Sequence, residues 1–590
     1  MKKNIAIFDF DKTITKKDSF NDFLIYSFGE KKFIMTILKN SFNILLYKMN
    51  LISNANIKSK LFKEYFKNKK YSYYVELCNR YVNNRLDLII RDDIKEIIDD
   101  YKKNNFDLVI LSASFKEWIE PWAIKMGFTK VISSKFEYKK DLIEGTILEK
   151  NSCYGKNKRV LLKENFPQYS TIYKEIIAFG DSKNDQYFMQ KADTKYLVKK
   201  HGIELINDYA IVTDGLWRKS LSAVRSLGKK GINVYVTGDT YLSTGMWSRY
   251  CNKKIKLPLI NDKLYDEKFI ECLKNTPDKP VIFPMEESTI KSCSNNYDKI
   301  KEYCYILIPS KKNLNIALNK SDTIKAAQNI GIPCPKTFFP KNATELEKII
   351  EKEKMDDYVI KPHRGSGSSG LLYGSQSRDI DLKKHWQIHG DLILQERISS
   401  DGEGVGVSLL FDKEHEPVAF FAHKRIEQYP NSGGPSTQRI GIKDQKLVDL
   451  SIKLLKSLNW VGVAMVEWKY NSLTNEYVLM EINPRFWGSL ELAVRSGVDF
   501  PYLYYQVAKN RYVKKVTDYK TDYNCRWLLP GDILRYLTKK NGREKLADFL
   551  KGILKTSEEW DKTDKRGFFA SIWCQGLLVL NPKYWKYIRK

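Results

Sequence analysis

The nine cysteines of this chain are scattered, with no CxxC pair among them. That excludes a zinc ribbon or a disulfide framework and favours a reducing compartment, with the cytoplasm as the expectation. No uncharged hydrophobic run reaches the ~20 residues that a membrane-spanning helix needs. The most apolar stretch, Phe33 to Ile52, is interrupted by Lys39, Asn40, Asn43 and Lys48. At the N-terminus an apolar segment of four residues, Ile5 to Phe8, runs straight into Asp9, so no signal peptide is expected. Internal repeats, low-complexity tracts and coiled-coil heptads are absent. Acidic residues are also in deficit: 100 Lys+Arg stand against 71 Asp+Glu, a formal net charge of +29. Such a field suits nucleic acid, an anionic membrane surface or phosphorylated substrates. The lysines are spread along the whole chain, however, and this reads as compositional bias rather than a binding stripe; nucleic acid is not expected as a partner. What remains is a globular composition, 43% hydrophobic and 29% charged over 590 residues, enough for three or four domains of ~150 residues.

The most informative stretch is Val478 to Gly488. Val478–Ile482 reads as a strand, because apolar residues flank a single acid between polar boundaries. Residues two apart on a strand face the same side, about 6.5 Å apart. Glu481 and Asn483 therefore present two hard oxygen ligands on one face, with the cation of Arg485 beyond them. A second apolar strand, Gly462 to Trp468, carries Glu467. Two carboxylates and an amide oxygen suit Mg²⁺ with nucleotide phosphates. Glu467 followed by Glu481-Ile482-Asn483-Pro484-Arg485 resembles the metal-binding end of the ATP-grasp superfamily of carboxylate ligases.

At the other end of the chain, Ile5 to Asp9 is an apolar strand ending in two acids, Asp9 and Asp11. One such carboxylate can attack a phosphoryl group while the other works as acid and base. A second apolar strand, Phe106 to Ser114, brings Ser112; Gly155 is followed by Lys156 and Lys158; a third strand, Ile176 to Gly180, leads to Asp181 and Asp185. In this order the four phrases resemble the haloacid-dehalogenase superfamily, specifically its phosphoserine-phosphatase-like branch, over about residues 1–200. The resemblance implies Asp9 as nucleophile and Asp11 as general acid/base, with Ser112 and Lys158 binding phosphate. Lys158 is preferred over Lys156 on its spacing from the glycine. It implies Mg²⁺ (or Mn²⁺) at Asp9, Asp11 and Asp181, with Asp185 in support. The segment from about 16 to 95 reads helical, with Phe20, Phe23, Leu24, Phe28, Phe33 and Ile37 at helical spacing. The resemblance makes it a cap over the substrate, and its apolar faces are expected in the cap core rather than on a membrane. Asp18, Arg80 and Arg85 are read as solvated before they are read as substrate contacts.

Further phrases extend the ATP-grasp resemblance. Asn319-Lys320, a helix and Gly331 to Thr337 form its entry. Lys361-Pro362 precede a loop, Gly365-Ser366-Gly367-Ser368-Ser369-Gly370, whose backbone N–H groups can cradle phosphates although it lacks the Walker pattern. Gln395-Glu396 ends a strand where the resemblance places the nucleotide's adenine and ribose. His423 to Thr437, with its Gly433-Gly434 turn, is assigned to the acyl phosphate and acceptor, and His423 is not taken as a base. Lys320 and Lys361 are expected on the triphosphate and Arg485 on the carboxylate. Glu286 or Glu287 is a candidate for the cleft lining.

The fold class expected is α/β multidomain. A Rossmann-like phosphatase with a helical cap fills 1–205, and Ala192 to Lys200 is its last sheet edge. A small parallel α/β domain follows (206–317), then an ATP-grasp α+β domain (318–510) and a helical basic and aromatic extension (511–590). The function implied is bifunctional: a Mg²⁺-dependent phosphomonoester hydrolase joined to an ATP-dependent carboxylate–amine ligase. The partners implied are a small-molecule carboxylate, an amine and a phosphate ester, with a homodimer left open. One rival keeps only the phosphatase active and makes the ATP-grasp shell a nucleotide sensor; another makes the chain a binder of anionic polymers, with steep salt dependence.

Overall fold

Three short apolar strands place the first set of acids. Ile5–Asp9 (β1), Asp107–Phe115 (β2) and Ile176–Gly180 (β6) are buried almost throughout, the pattern of parallel strands covered on both faces. The computed structural model describes residues 3–49, 51–200, 202–205, 208–353, 357–364, 370–374, 381–398, 403–430, 434–539 and 545–580. They form two units, Met1–Asn207 and Asp208–Lys590.

In the first unit, Lys130–Ser134 (β3), the small hairpin Tyr138–Lys139 (β4) and Leu142–Ile143 (β5), Thr194–Lys199 (β7) and Gly202–Leu205 (β8) complete the strands. The sheet order is β3-β2-β1-β6-β7-β8. All neighbours are parallel except β7 and β8. The expectation that Ala192–Lys200 closes the sheet is corrected: β8 turns back from β7 and forms the edge. On one face Ile5, Ile7, Val109, Leu111 and Ala178 pack against Leu162 and Phe188. Because β1 lies between β2 and β6, the carboxyl ends of all three strands converge.

Among the helices between β1 and β2, the cap comprises Ser19–Phe28 (α1), Glu30–Lys39 (α2), Ser41–Lys48 (α3), Asn54–Phe66 (α4) and Tyr71–Tyr81 (α5). Asp18 starts α1 by accepting from the Asn21 N–H, and Ser53 starts α4 in the same way through Asn56. Phe23 stacks on Trp118, in the helix Lys116–Met126 that follows β2, at 4.7 Å and meets Tyr81 of α5 edge-on at 5.4 Å, fastening α1 to both helices. The expectation of a fully buried apolar face holds for Phe20, Phe23 and Leu24. It fails for α2 and α3, where Met35, Leu38 and Phe42 are each more than two-thirds exposed.

In the second unit, Tyr209–Val212 (β9), Asn233–Gly238 (β10), Cys251–Lys256 (β11) and Val281–Phe283 (β12) form a parallel sheet of order β11-β10-β9-β12. Thr337–Phe338 (β13), Tyr358–Pro362 (β14), Leu372–Tyr373 (β15) and Leu392–Glu396 (β16) form an antiparallel sheet of order β13-β16-β14-β15. The largest sheet orders Glu476–Asn483 (β21), Gly462–Asn471 (β20), Gly404–Phe411 (β17), Pro417–Gln428 (β18), Ser436–Ile442 (β19) and Asn524–Arg526 (β22) side by side. The extension expected to be helical thus contributes an edge strand, β22, before its helices Leu546–Thr556 and Lys565–Leu580. Among the described residues no helix is long and apolar enough to cross a membrane.

Candidate active sites

In the first unit the chemistry gathers at the strand ends. Asp9 is the last residue of β1, 5% exposed. Lys158, near the start of the helix Lys156–Asn165, places Nζ 2.5 Å from Asp9 Oδ1 and 2.6 Å from Asp185 Oδ1. Lys156 instead lies over the Tyr187 ring, so Lys158 is the lysine at the acids. Burial pushes the Asp9 carboxyl up despite the Lys158 cation. Asp185 is also buried, but Lys158 and the Ser182 donors hold its carboxyl below the usual range. Asp181 is raised to about 6 by burial and by repulsion from Asp185.

Ligand oxygens of Asp9, Asp181 and Asp185 all lie within 4.8 Å of one another, a hard-oxygen set that fits Mg²⁺ or Mn²⁺. Asp185 accepts from Lys158 through Oδ1 and from Ser182 Oγ through Oδ2, and Asp9 accepts from Lys158 through Oδ1 and from Thr13 Oγ1 at 3.3 Å through Oδ2, so Lys158 bridges two members of the set. Asp11, also expected among the metal carboxylates, is not in this group. Its Oδ1 accepts from the Ser19 N–H at 2.7 Å and its Oδ2 from Ser114 Oγ at 2.6 Å. Ser112 Oγ accepts from the Ser114 N–H at 3.0 Å. Ser114 is the residue the motif reading passed over, although the Ser112-Ala113-Ser114 spacing carried the signal. Arg85 forks onto Asp22 at 3.0 and 2.9 Å, Asp18 serves as a helix cap and Arg80 is exposed, so all three have structural places.

In the second unit, strand register builds the site. Across the large sheet His423 pairs with Gly406, Gly406 with Glu467 and Glu467 with Glu481, so these residues share one face. Gly406 has to be glycine: a Cβ there would sit 2.5 Å from His423 Cε1. Asn483 Nδ2 donates to Glu467 Oε1 at 3.1 Å and to Glu481 Oε1 at 3.4 Å. Lys320 Nζ stands 2.9 Å from Glu481 Oε2, and Arg425 pairs with Glu467. Burial raises the Glu467 carboxyl, whereas at Glu481 the Lys320 cation overcomes burial and lowers it. Two acids already matched by cations, with an amide between them, fit a divalent ion bound with phosphates. Arg485 Nε lies 3.5 Å from Glu287 Oε1.

Lys361 Nζ donates to Gln395 Oε1 at 2.7 Å; burial and the neighbouring Lys320 bring its ammonium down to about 8. Of the phosphate loop, residues 365–369 (Gly365, Ser366, Gly367, Ser368 and Ser369) lie outside the described residues. Gly370, at φ +74°, is described, and a Cβ on it would meet Pro362 Cγ and His389 Nδ1 at 2.8 Å. Glu396 accepts from the Lys336 N–H at 2.9 Å, and Gln395 is buried with Nε2 on Thr337 Oγ1. Gln395 thus meets the cleft through Lys361, and Glu396 is tied to the chain entering β13.

These residues border a cleft of about 2310 Å³. Its wall includes Lys320, Lys361, Glu467, Glu481 and Arg485, and both Glu286 and Glu287. Glu286 pairs with Lys219 at 2.7 Å. His423 is buried, and burial followed by Arg439 and Arg425 lowers its pKa to about 3; its neutral ring meets Ser489 Oγ at 3.0 Å. Motif reading missed the wall supplied by the C-terminal extension. There Glu558 accepts from Arg218 at 3.0 Å and pairs with Arg439. Those partners stand 340 and 119 residues away, and no sequence spacing signals them.

The sequence matches the haloacid dehalogenase-like hydrolase family over residues 6–190 and the ATP-grasp domain family over residues 317–489. The chain joins a haloacid dehalogenase-like hydrolase domain to an ATP-grasp domain. The chain is 23% identical to protein CicA of Caulobacter vibrioides across 193 residues, 32% of this chain and 84% of that protein. It is 29% identical to acetyl-CoA carboxylase 1 of Arabidopsis thaliana across 134 residues, 22% of this chain but only 6% of that protein. Biotin carboxylase from Campylobacter jejuni, solved as an ATP-analogue complex, superposes over 53% of this chain and 74% of its own. The TM-score is 0.45 at 16% identity.

Proposed function

We propose that the chain is a bifunctional enzyme, a phosphomonoester hydrolase of the phosphoserine-phosphatase-like branch joined to an ATP-dependent carboxylate–amine ligase. In the hydrolase domain Asp9 takes the phosphoryl group, Asp11 gives a proton to the leaving alcohol and then draws one from the attacking water. Ser112 and Lys158 hold the phosphate oxygens. Asp9 and Asp181 would hold a divalent ion, which would offset the repulsion between phosphate and nucleophile. In the ATP-grasp domain Lys320 and Lys361 hold the triphosphate, and Arg485 orients the substrate carboxylate as it attacks the γ-phosphate. The resulting acyl phosphate loses inorganic phosphate when the amine adds. Glu467, Glu481 and Asn483 would carry Mg²⁺, which offsets the charge of the nucleotide.

The observation that carries this reading is the row of His423, Gly406, Glu467 and Glu481 with Lys320 and Arg425 paired to its acids. A nucleotide sensor needs the lysines but not a carboxylate-holding Arg485 beside two metal-ligating acids. The joining of the two domains points to consecutive steps on one metabolite, ligation of a phosphorylated amine before its phosphate is trimmed. The test uses Asp9→Asn protein, ATP, Mg²⁺ and pools of carboxylates and of amines with and without phosphate, reading ADP and product mass. ADP with a new phosphorylated amide is expected. ADP only with unphosphorylated amines reverses the order, and ATP binding without turnover from any pool removes the ligase.

A further inference from the structure

The cap carries an apolar face that no described residue of its own unit covers. Along α2 and α3, Ile34, Met35, Leu38, Phe42, Leu45 and Met49 are all about half exposed or more, a contiguous run rather than the isolated apolar residues of an ordinary surface. The same helical segment is cationic. From Glu30 to Leu51 it holds four lysines, Lys31, Lys32, Lys39 and Lys48, against the single acid Glu30. Lys31, Lys32 and Lys39 are exposed, with Lys39 paired to Glu64 of α4 at 2.8 Å. An apolar face edged by ammonium groups matches an anionic lipid surface, where the acyl region accepts the side chains and the headgroups accept the lysines. A second copy of the chain would bring like charges together on the same patch.

A separate observation links this face to chemistry. Leu51, 64% exposed where the helical segment ends, lines a pocket of about 470 Å³. Its polar side is a hydrogen-bond chain. Asn54 Nδ2 donates to Tyr47 OH at 3.3 Å, Tyr47 OH meets Tyr154 OH at 3.1 Å, and Asn184 Nδ2 donates to Tyr154 OH at 2.7 Å. Asn184 directly precedes Asp185, the partner of Lys158. The pocket therefore has an apolar lip on the helical segment and a polar floor one residue from the catalytic acids.

We propose that the hydrolase domain docks on an anionic lipid surface through the α2–α3 helical segment and takes its phosphomonoester from an amphiphile lying in that surface. The second half rests on the phosphatase reading above. The P–O bond to the amphiphile breaks, the alcohol stays in the lipid with a proton from Asp11, and water releases inorganic phosphate from Asp9.

The full chain is tested for co-sedimentation with phosphatidylcholine vesicles, with and without phosphatidylglycerol, beside the double variant Leu38→Asp, Phe42→Asp. The wild type is expected to sediment only with the anionic vesicles, and the variant about tenfold less. Both should hydrolyse soluble p-nitrophenyl phosphate at the same rate, while the variant loses about tenfold on phosphatidic acid in vesicles. Equal sedimentation of wild type and variant, or none with anionic vesicles, overturns the docking. So does a variant that turns a dimer into a monomer without any lipid effect. Vesicle binding without hydrolysis of phosphatidic or lysophosphatidic acid, by protein active on the soluble ester, overturns the substrate. Wild type inactive on every ester removes the phosphatase reading and leaves the docking to stand on sedimentation.

Discussion

At the scale of single residues, both sites turn on buried lysines whose partners differ. Lys158 is 3% exposed and held between two carboxylates. Removing it leaves Asp9 and Asp185 facing each other without a cation, and breaking such a buried pair costs about 3–5 kcal/mol. Lys158→Met should therefore lower stability by that amount in urea titrations, recover part of it with Mg²⁺, and lose phosphatase activity by about a hundredfold or more. Lys361 has the opposite problem, because its neighbour is another cation, Lys320, and burial adds to the penalty. An ammonium brought down to about 8 is raised again when a triphosphate settles beside it, so ATP binding takes up a proton at alkaline pH. The affinity should then fall as pH rises from about 7 to about 9, and calorimetry in buffers of different ionisation heat should show the uptake. Lys361→Met should bind ATP weakly and with that pH dependence gone.

At the scale of elements, close backbone approach decides which strands can meet. Gly462 opens β20 at φ +87°, and a Cβ there would lie 2.3 Å from the Leu307 carbonyl oxygen. Gly462→Ala combines a disfavoured conformation with a backbone clash and should destabilise the second unit by about 2–3 kcal/mol, read by urea unfolding. The hydrolase unit should be untouched, since neither Leu307 nor Gly462 belongs to it. Strand periodicity also explains what was legible here. Side-chain alternation on a strand puts Glu481 and Asn483 on one face, and the 3.4 Å contact between them follows from it. That His423 and Glu467 flank Gly406 depends on register between three strands, and no single strand carries that information.

At the scale of the whole molecule, each unit carries its own site. Residues 1–207 expressed alone should retain the proposed phosphatase activity within about twofold, and residues 208–590 alone should bind ATP with about the affinity of the full chain. Loss of either activity on separation would show that the units complete each other. The C-terminal extension belongs to the second unit in a way composition concealed. Its basic and aromatic residues suggested a cover, but its acids do the anchoring: Glu558 meets Arg218 and Arg439, and Asp564 meets Arg225 at 2.9 Å.

The sequence alone determined the two families, the order of the strand-end acids and the choice of Lys158, because each rests on short-range spacing along strands and turns. The tertiary structure alone decided that Asp11 is fastened by Ser19 and Ser114 rather than standing with the metal carboxylates. It also decided that the extension walls the ATP-grasp cleft and that the α2–α3 face of the cap is bare. A helical pattern states which side of a helix is apolar. Whether that side is buried depends on what the rest of the chain packs against it, and no local period encodes that.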